Sequence, residues 1–266
     1  MLEVKDAFFG YNKKRHILRN INLKLAKGQV LAVLGPNGVG KTTLLKCIMN
    51  IHPWTKGECL LNDVPINRLA VQELWKTIAY VPQAKNSVFS YTSEEMILMG
   101  RSAHIGMFAQ PSKQDKAMVE QVMETLGIMH LRGKLCNQMS GGELQMVLIG
   151  RALISKPEIL VLDEPESNLD FKNQLVVLDT IHALASREGI ACLFNTHYPS
   201  HALKISTHAL ILNKSGDSLF GETKTLITEQ NLRASFDVAV HINEVTIEDK
   251  LHQSVIPLGL VNPFRS

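Results

Sequence analysis

Val30-Leu31-Ala32-Val33-Leu34-Gly35-Pro36-Asn37-Gly38-Val39-Gly40-Lys41-Thr42-Thr43 is the stretch whose reading decides the fold. Five apolar residues in a row, closed by a glycine, suit a strand buried on both faces. Gly35 to Thr42 then fits GxxxxGK[ST] at every fixed position, and the run from Thr43 to Met49 reads as a helix. Strand, glycine loop and helix are the context this motif needs. Glycines let the backbone wrap around phosphate oxygens with its amides turned inward. The helix start adds a favourable dipole. Lys41 neutralises β- and γ-phosphate charge, and Thr42 offers a hydroxyl to Mg²⁺. A glycine turn with no ligand is the bland alternative, and the flanking strand and helix argue against it.

Outward from this loop, short apolar runs alternate with helical patterns. Ile159–Leu162 and Ala191–Phe194 are further buried strands. Leu175, Leu178, Ile181 and Ala185 recur at helical spacing behind Asp170, a good N-cap. Strand alternating with helix implies a mostly parallel α/β sheet. Before it, Leu2–Phe9 and Ile21–Leu25 read as antiparallel strands joined by the polar turn Asn12–Arg15. From about 90 to 155 strand patterns thin out. Thr92 with Glu95 and Ser112 with Asp115 have capping-box spacing, and Met118, Val119, Val122, Met123 and Leu126 make one helical face that Gly127 ends. The fold class is therefore α/β, a P-loop NTPase core with an N-terminal antiparallel β subdomain and an inserted helical subdomain. Eight of the ten methionines lie between Met96 and Met146. They suit an adaptable docking surface, but filling the core of a small helical unit is the preferred reading. Asp237–Ile242 reads as a last strand and Val255–Ser266 as a tail.

Composition narrows the function. The 266 residues are 45% hydrophobic, enough for a sizeable core. A net charge of +3 does not call for a nucleic-acid partner. Cys47, Cys59, Cys136 and Cys192 form no CxxC pair, so neither a zinc site nor a disulfide framework is expected. The N-terminus lacks a secretory pattern, and no run of roughly 18 apolar residues offers a membrane span. Any service to a membrane would go through a partner.

Two further segments carry chemistry. Ile159–Leu162 ends in Asp163 and Glu164, acids that are costly beside a buried strand unless they meet a cation or a hydrogen-bond network. Asp163 is the natural Mg²⁺ partner of a P-loop enzyme, and Glu164 is placed to orient or deprotonate a water. Met139-Ser140-Gly141-Gly142-Glu143 opens an apolar helix running to about Ser155. Ser140 and Glu143 form a capping box that any helix could use. Ser-Gly-Gly at a helix start also presents amides and a hydroxyl to an anion, which would give one chain two phosphate sites. Two copies placed head to tail would set Ser140 of one against the loop Gly35–Thr42 of the other.

In this ordered set of motifs the chain resembles the ATP-binding cassette family over residues 1 to about 240. The phosphate loop is Gly35–Thr43; Gln83, in Val81-Pro82-Gln83, looks like the Q-loop glutamine; Met139–Glu143 looks like the signature; Ser167-Asn168-Leu169-Asp170 resembles the D-loop; His197, after Ala191–Phe194, looks like the switch histidine. Tyr11 stands where the adenine-stacking aromatic is usual. Met139 and Glu143 replace the usual Leu and Gln of the signature, and Glu166 and Asn168 replace smaller residues near the D-loop. The resemblance implies catalytic roles for Glu164, His197 and Gln83. It implies nucleotide contacts from Tyr11, from Gly35, Pro36, Asn37, Gly38, Val39, Gly40, Lys41, Thr42 and Thr43, and from Ser140, Gly141 and Gly142. It implies Mg²⁺ at Thr42, Gln83 and Asp163, with ATP as the nucleotide.

Met99-Gly100-Arg101, the stretch Gly106–Asp115 and Leu226–Glu229 resemble importers of iron-siderophore, haem, cobalamin or molybdate. The resemblance implies a homodimer at the cytoplasmic face of the inner membrane, peripheral, with a two-copy permease and a substrate-binding protein. It implies an ATPase domain over 1–240, its helical subdomain at about 90–155, and an extension over 241–266. A non-transport cassette, such as an iron–sulfur assembly ATPase, is the first alternative. A monomeric nucleotide kinase or GTPase is the second; it accounts for Lys41 and Asp163 but leaves Ser140–Gly142 without a task.

Overall fold

The computed structural model describes residues 1–12, 15–84, 90–102 and 110–261. Lys13 and Lys14 of the expected polar turn, 106–109 of the Gly106–Asp115 stretch and 262–266 of the expected tail lie outside the described residues. The chain divides into two compact units, Met1–Arg68 with Leu193–Ser266, and Leu69–Cys192.

The first unit opens with an antiparallel sheet of four strands, in the order Leu18–Leu25, Leu2–Phe9, Lys56–Leu61, Val64–Pro65. Leu18, Ile21, Leu23 and Leu25 alternate with exposed polar residues, the pattern of a strand with one buried face. Asn62 and Asp63 both take positive φ, 49° and 64°, and so make the tight turn between the last two strands. The strand Val30–Leu34, buried at all five positions, lies between His208–Leu212 and Ala191–Thr196, with Ser218–Glu222 beyond His208–Leu212. Val30–Leu34 runs parallel to His208–Leu212. It delivers the chain into the helix Lys41–Ile48 through the glycine loop.

This unit ends in an element the sequence reads otherwise. Val238–Ile247 and Lys250–Leu260 form a two-stranded antiparallel ribbon, so the last strand runs on beyond the expected Asp237–Ile242, and Val255–Leu260 of the expected tail belongs to a second strand. The helices Glu229–Phe236 and Pro199–Ile205 anchor it: the Ile242 amide donates to Glu229 Oε1 at 2.9 Å and the Val255 amide to Ser200 Oγ at 3.1 Å.

The second unit packs helices around Gly141–Leu153, which is buried around most of its circumference, as a helix apolar on all sides must be. Ser93–Leu98 and Lys113–Thr125 pack near it, each started by the capping box expected at Thr92 and Ser112. Gly100 is required by proximity: a Cβ there would lie 1.8 Å from the Arg151 carbonyl oxygen. Met96, Met123 and Met146 are buried and fill this core, while Met99 is exposed. Beside the helices, Ile78–Val81 and Ile159–Asp163 pair in parallel, and Phe171–Glu188 starts at Asp170, whose carboxylate accepts from the Asn173 amide at 2.8 Å.

No helix among the described residues is long and apolar enough to cross a membrane. All four cysteines are buried and free, and burial pushes the Cys47, Cys59 and Cys192 thiols up to about 12. Such thiols are poor nucleophiles and poor metal ligands.

Candidate functional site

In the first unit the phosphate loop turns on three glycines in the left-handed region, Gly35, Gly38 and Gly40, at φ of 150°, 77° and 111°. A side chain at Gly35 would also meet the Leu212 carbonyl oxygen at 2.9 Å. Gly40 occupies the N-cap of Lys41–Ile48 without any side-chain cap, so the start of that helix is left open to a ligand. Lys41 is 5% exposed, and its Nζ donates to the carbonyls of Gly35 at 2.9 Å and Pro36 at 3.3 Å. A buried ammonium needs such partners, and these hold it at the loop itself.

Tyr11 meets this loop. Its phenol shares a hydrogen bond of 3.3 Å with Thr43 Oγ1. An open pocket of about 460 Å³ is lined by Tyr11, Arg15, Ile17, Gly38, Val39 and Lys214, among others. One wall is thus an exposed aromatic ring, another is the phosphate loop, and the rim is cationic. That combination suits a base linked to phosphates. Also in this unit, His197 is half-buried after Ala191–Thr196, with its ring 4.2 Å from that of Tyr198. The Tyr198 amide donates to Thr196 Oγ1 at 3.0 Å, which fixes the turn that carries His197.

In the second unit the register Val81↔Leu162 sets the ends of two parallel strands side by side. Gln83 therefore leaves one strand where Asp163 and Glu164 leave the other. Asp163 Oδ2 accepts from the Tyr80 hydroxyl at 3.1 Å. Burial, followed by the Asp163 charge, pushes the Tyr80 phenol above its ordinary range, so it stays a donor. Glu164 takes φ of 47°, a left-handed conformation that costs a side-chain-bearing residue about 1–2 kcal/mol. The turn after it is held by the Ser167 amide on the Glu164 carbonyl at 3.1 Å and by Ser167 Oγ on Glu164 Oε2 at 3.3 Å.

The helix start at Ser140 forms the expected capping box: Ser140 Oγ accepts from the Glu143 amide at 3.3 Å, and Glu143 Oε2 accepts from the Ser140 amide at 2.8 Å. Lys134 Nζ adds two bonds of 2.8 Å to the same carboxylate. The hydroxyl is thus engaged as an acceptor, and its own O–H is shared with the Glu143 carboxylate, so it would turn from that carboxylate to donate to an anion. Behind the turn, Gly142 faces Asn173, whose Cγ would lie 2.3 Å from an added Cβ, and Gly141 faces Leu169. Gln145 Oε1 accepts from the Ala84 amide at 2.9 Å, tying the segment after Gln83 to the same helix.

The first unit thus groups Tyr11 with the phosphate loop. The second brings Gln83 to the strand ends that carry Asp163 and Glu164, and the Ser140 helix start lies elsewhere in the same unit, against Leu169 and Asn173. Sequence reading had no role for Tyr80 or Gln145. Their only signal was polarity at positions where strand and helix periodicity ask for apolar residues.

The ABC transporter family model matches residues 18–167. The molybdate import ATP-binding protein MolC of Haemophilus influenzae is 34% identical over 257 residues, covering 97% of this chain and 96% of the relative. A Helicobacter pylori ATP-binding protein assigned to iron chelatin transport is 34% identical, over 94% of this chain and 98% of its own. A solved inward-facing structure assigned to the metal-chelate type of ABC transporter superposes with a TM-score of 0.87, at 34% identity and 97% coverage of each chain.

Proposed function

The chain belongs to the ABC transporter family, and on that premise we propose that it is the ATP-hydrolysing subunit of an importer for metal chelates or molybdate. The observation that carries the proposal is the pocket shared by Tyr11 and the phosphate loop, with a buried Lys41 beside it. The solute class rests on relatives that serve molybdate and iron chelatin and on a metal-chelate type structure. The ATPase domain is proposed to span 1–240, with its helical part at about 90–155 and an extension over 241–266, a boundary that the first ribbon strand, Val238–Ile247, crosses.

The chemistry follows from the residues. Tyr11 stacks on the adenine. Gly35 to Gly40 turn their amides to the phosphates, and Lys41, Thr42 and Thr43 complete the grip. The Thr42 hydroxyl, the Gln83 side-chain carbonyl and the Asp163 carboxylate would hold Mg²⁺, since all three offer the hard oxygen ligands that this ion takes. When bound, the ion neutralises charge on the β- and γ-phosphates. Glu164 orients the attacking water and takes its proton, and His197 contacts the γ-phosphate. The Ser140 helix start, with Gly141 and Gly142, grips the γ-phosphate held by a second copy. ATP thereby favours the closed pair, and hydrolysis reopens it. A two-copy permease takes up the motion, with a substrate-binding protein delivering solute. The chain works at the cytoplasmic face of the membrane, as a peripheral subunit.

The test is Glu164→Gln. The variant should keep ATP affinity, accumulate a closed dimer and turn over about 10²–10⁴ times more slowly, the contribution expected of a positioned base. Wild-type turnover in that variant would remove Glu164 from the mechanism. ATPase activity per chain should also rise with protein concentration, since the composite site needs two copies. A rate per chain that stays flat on dilution favours a monomeric nucleotide kinase or GTPase.

A further inference from the structure

Tyr11 is 63% exposed, yet its ring is not loose. Phe9, 6% exposed, meets it edge to face, with centroids 5.1 Å apart and planes at 84°. His52 meets it edge to face as well, at 5.5 Å and 82°. Phe9 and His52 stack on each other, 5.4 Å apart and 10° from parallel. Two parallel rings therefore form a base on which the third stands, and the hydrogen bond to Thr43 Oγ1 ties its far end.

Both Thr43 and His52 belong to the phosphate-loop helix. Thr43 sits in the first turn of Lys41–Ile48. His52 follows its end, with the amides of Ile51 and His52 both donating to the Lys46 carbonyl, at 2.9 and 3.2 Å. The helix that points its start at the phosphates thus holds the aromatic ring from both of its ends. Phe9 is part of the sheet core, whereas His52 is a half-buried turn residue. The aromatic rings it meets, among the described residues, are those of Phe9 and Tyr11.

We propose that His52 is a positioning residue for the nucleotide base: it holds the Tyr11 ring upright at a fixed distance from the phosphate loop, so that base and phosphates are bound at one spacing. The inference rests on the reading of Tyr11 as the stacking residue. A ring ordered in advance does not lose its freedom when the base arrives, and affinity rises accordingly. One edge-to-face pair corresponds to about a 2- to 10-fold change in an equilibrium constant.

Steady-state ATPase assays and binding of inorganic tripolyphosphate, which has no base, test it on the full chain. His52→Ala should raise KM for ATP about 2- to 10-fold, leave kcat near its original value and leave tripolyphosphate affinity unchanged. His52→Phe, which keeps a flat ring, should restore KM. Tyr11→Ala should raise KM further, and adding His52→Ala to it should change nothing more. An unchanged KM in His52→Ala beside a raised KM in Tyr11→Ala overturns the role of His52 alone. Equal losses of ATP and tripolyphosphate affinity in His52→Ala also overturn it, since they mean that the helix has moved. An unchanged KM in Tyr11→Ala removes the stacking reading and the inference with it.

Discussion

The phosphate loop and the Ser140 turn both place glycines ahead of a helix, and they need those glycines for opposite reasons. Gly35, Gly38 and Gly40 hold left-handed torsions that a side chain resists. Gly141 and Gly142 have no positive φ; Gly142 is there because Asn173 leaves no room for a methyl group. The helix ends differ in the same way. Lys41–Ile48 has no side-chain cap and no acid in its first turn. Gly141–Leu153 is closed by a full capping box with Glu143. One start is open to an anion from its own nucleotide. The other is held in shape by its own side chains, which on the proposed function keeps it preformed for a phosphate held by another copy.

The largest effect should separate the two starts by who binds. Lys41→Ala should lower ATP affinity of the dilute chain about 10²–10³-fold, the scale of losing one preorganised electrostatic donor. Ser140→Ala should leave that affinity unchanged and lower only the turnover of paired chains. Equilibrium binding at low protein concentration decides between them. Equal losses in the two variants would break the comparison.

Next comes the cause of each glycine. Gly142→Ala overpacks against Asn173 and should cost about 1–3 kcal/mol of stability. Asn173→Gly in the same chain should return most of it, less about 1 kcal/mol for a glycine inside the helix Phe171–Glu188. Gly40→Ala should cost about 1–2 kcal/mol through its torsion. Shaving the nearest side chain, Ile17, 3.0 Å from the added Cβ, should not restore it. Chemical denaturation of the four variants tells the two causes apart, and rescue at Gly40 would merge them.

These features differ in how far the sequence announced them. The strand Leu2–Phe9 and the caps at Thr92, Ser112, Ser140 and Asp170 follow from local patterns, and the structure has them at those positions. The terminal ribbon announced itself only in part, through the strand expected at Asp237–Ile242. Its turn, Glu248-Asp249, uses φ of 50° and 59° without the glycine that usually signals a hairpin, and Pro257 argues against a strand although Lys250–Leu260 is one. The phosphate loop was legible because its chemistry is contiguous. Tyr80 on Asp163 and Gln145 on Ala84 were not, because each pair joins segments more than sixty positions apart. The steric need at Gly142 was hidden for the same reason, since Asn173 lies on the next long helix.

A smaller effect isolates the cap from the anion. Ser140→Ala loses an N-cap worth about 1 kcal/mol, which should lower Tm by about 2–4 °C. Ser140→Asp keeps an acceptor for the Glu143 amide, so Tm should stay near that of the natural chain. Its carboxylate repels phosphate, so ATPase activity of the pair should be lost. Differential scanning fluorimetry beside a turnover assay reads both. Loss of stability without loss of activity in Ser140→Ala would reduce the turn to a helix cap.

The smallest effect is one of pH, and it belongs to one helix start only. Lys134 first, and the Ser140 amide second, hold the Glu143 carboxyl below its ordinary value of 4.5 against the opposing effect of burial. Because the folded value is the lower one, the stabilisation is complete above pH 4.5 and fades as pH falls through the folded value. With a partly exposed ion pair the change should be about 1 °C in Tm or less. Glu143→Gln keeps an acceptor for the Ser140 amide but does not titrate. The Tm gap between natural chain and variant should therefore narrow on acidification below pH 4.5. Lys134→Met, which removes the main cause of the shift, should make the gap close at a higher pH. Lys41–Ile48 has no first-turn acid to protonate, so it has no counterpart of the Glu143 titration within its own first turn. A gap at Glu143 that persists unchanged to pH 3 would mean that the neutral box alone holds the turn, and that the ion pair with Lys134 adds nothing to it.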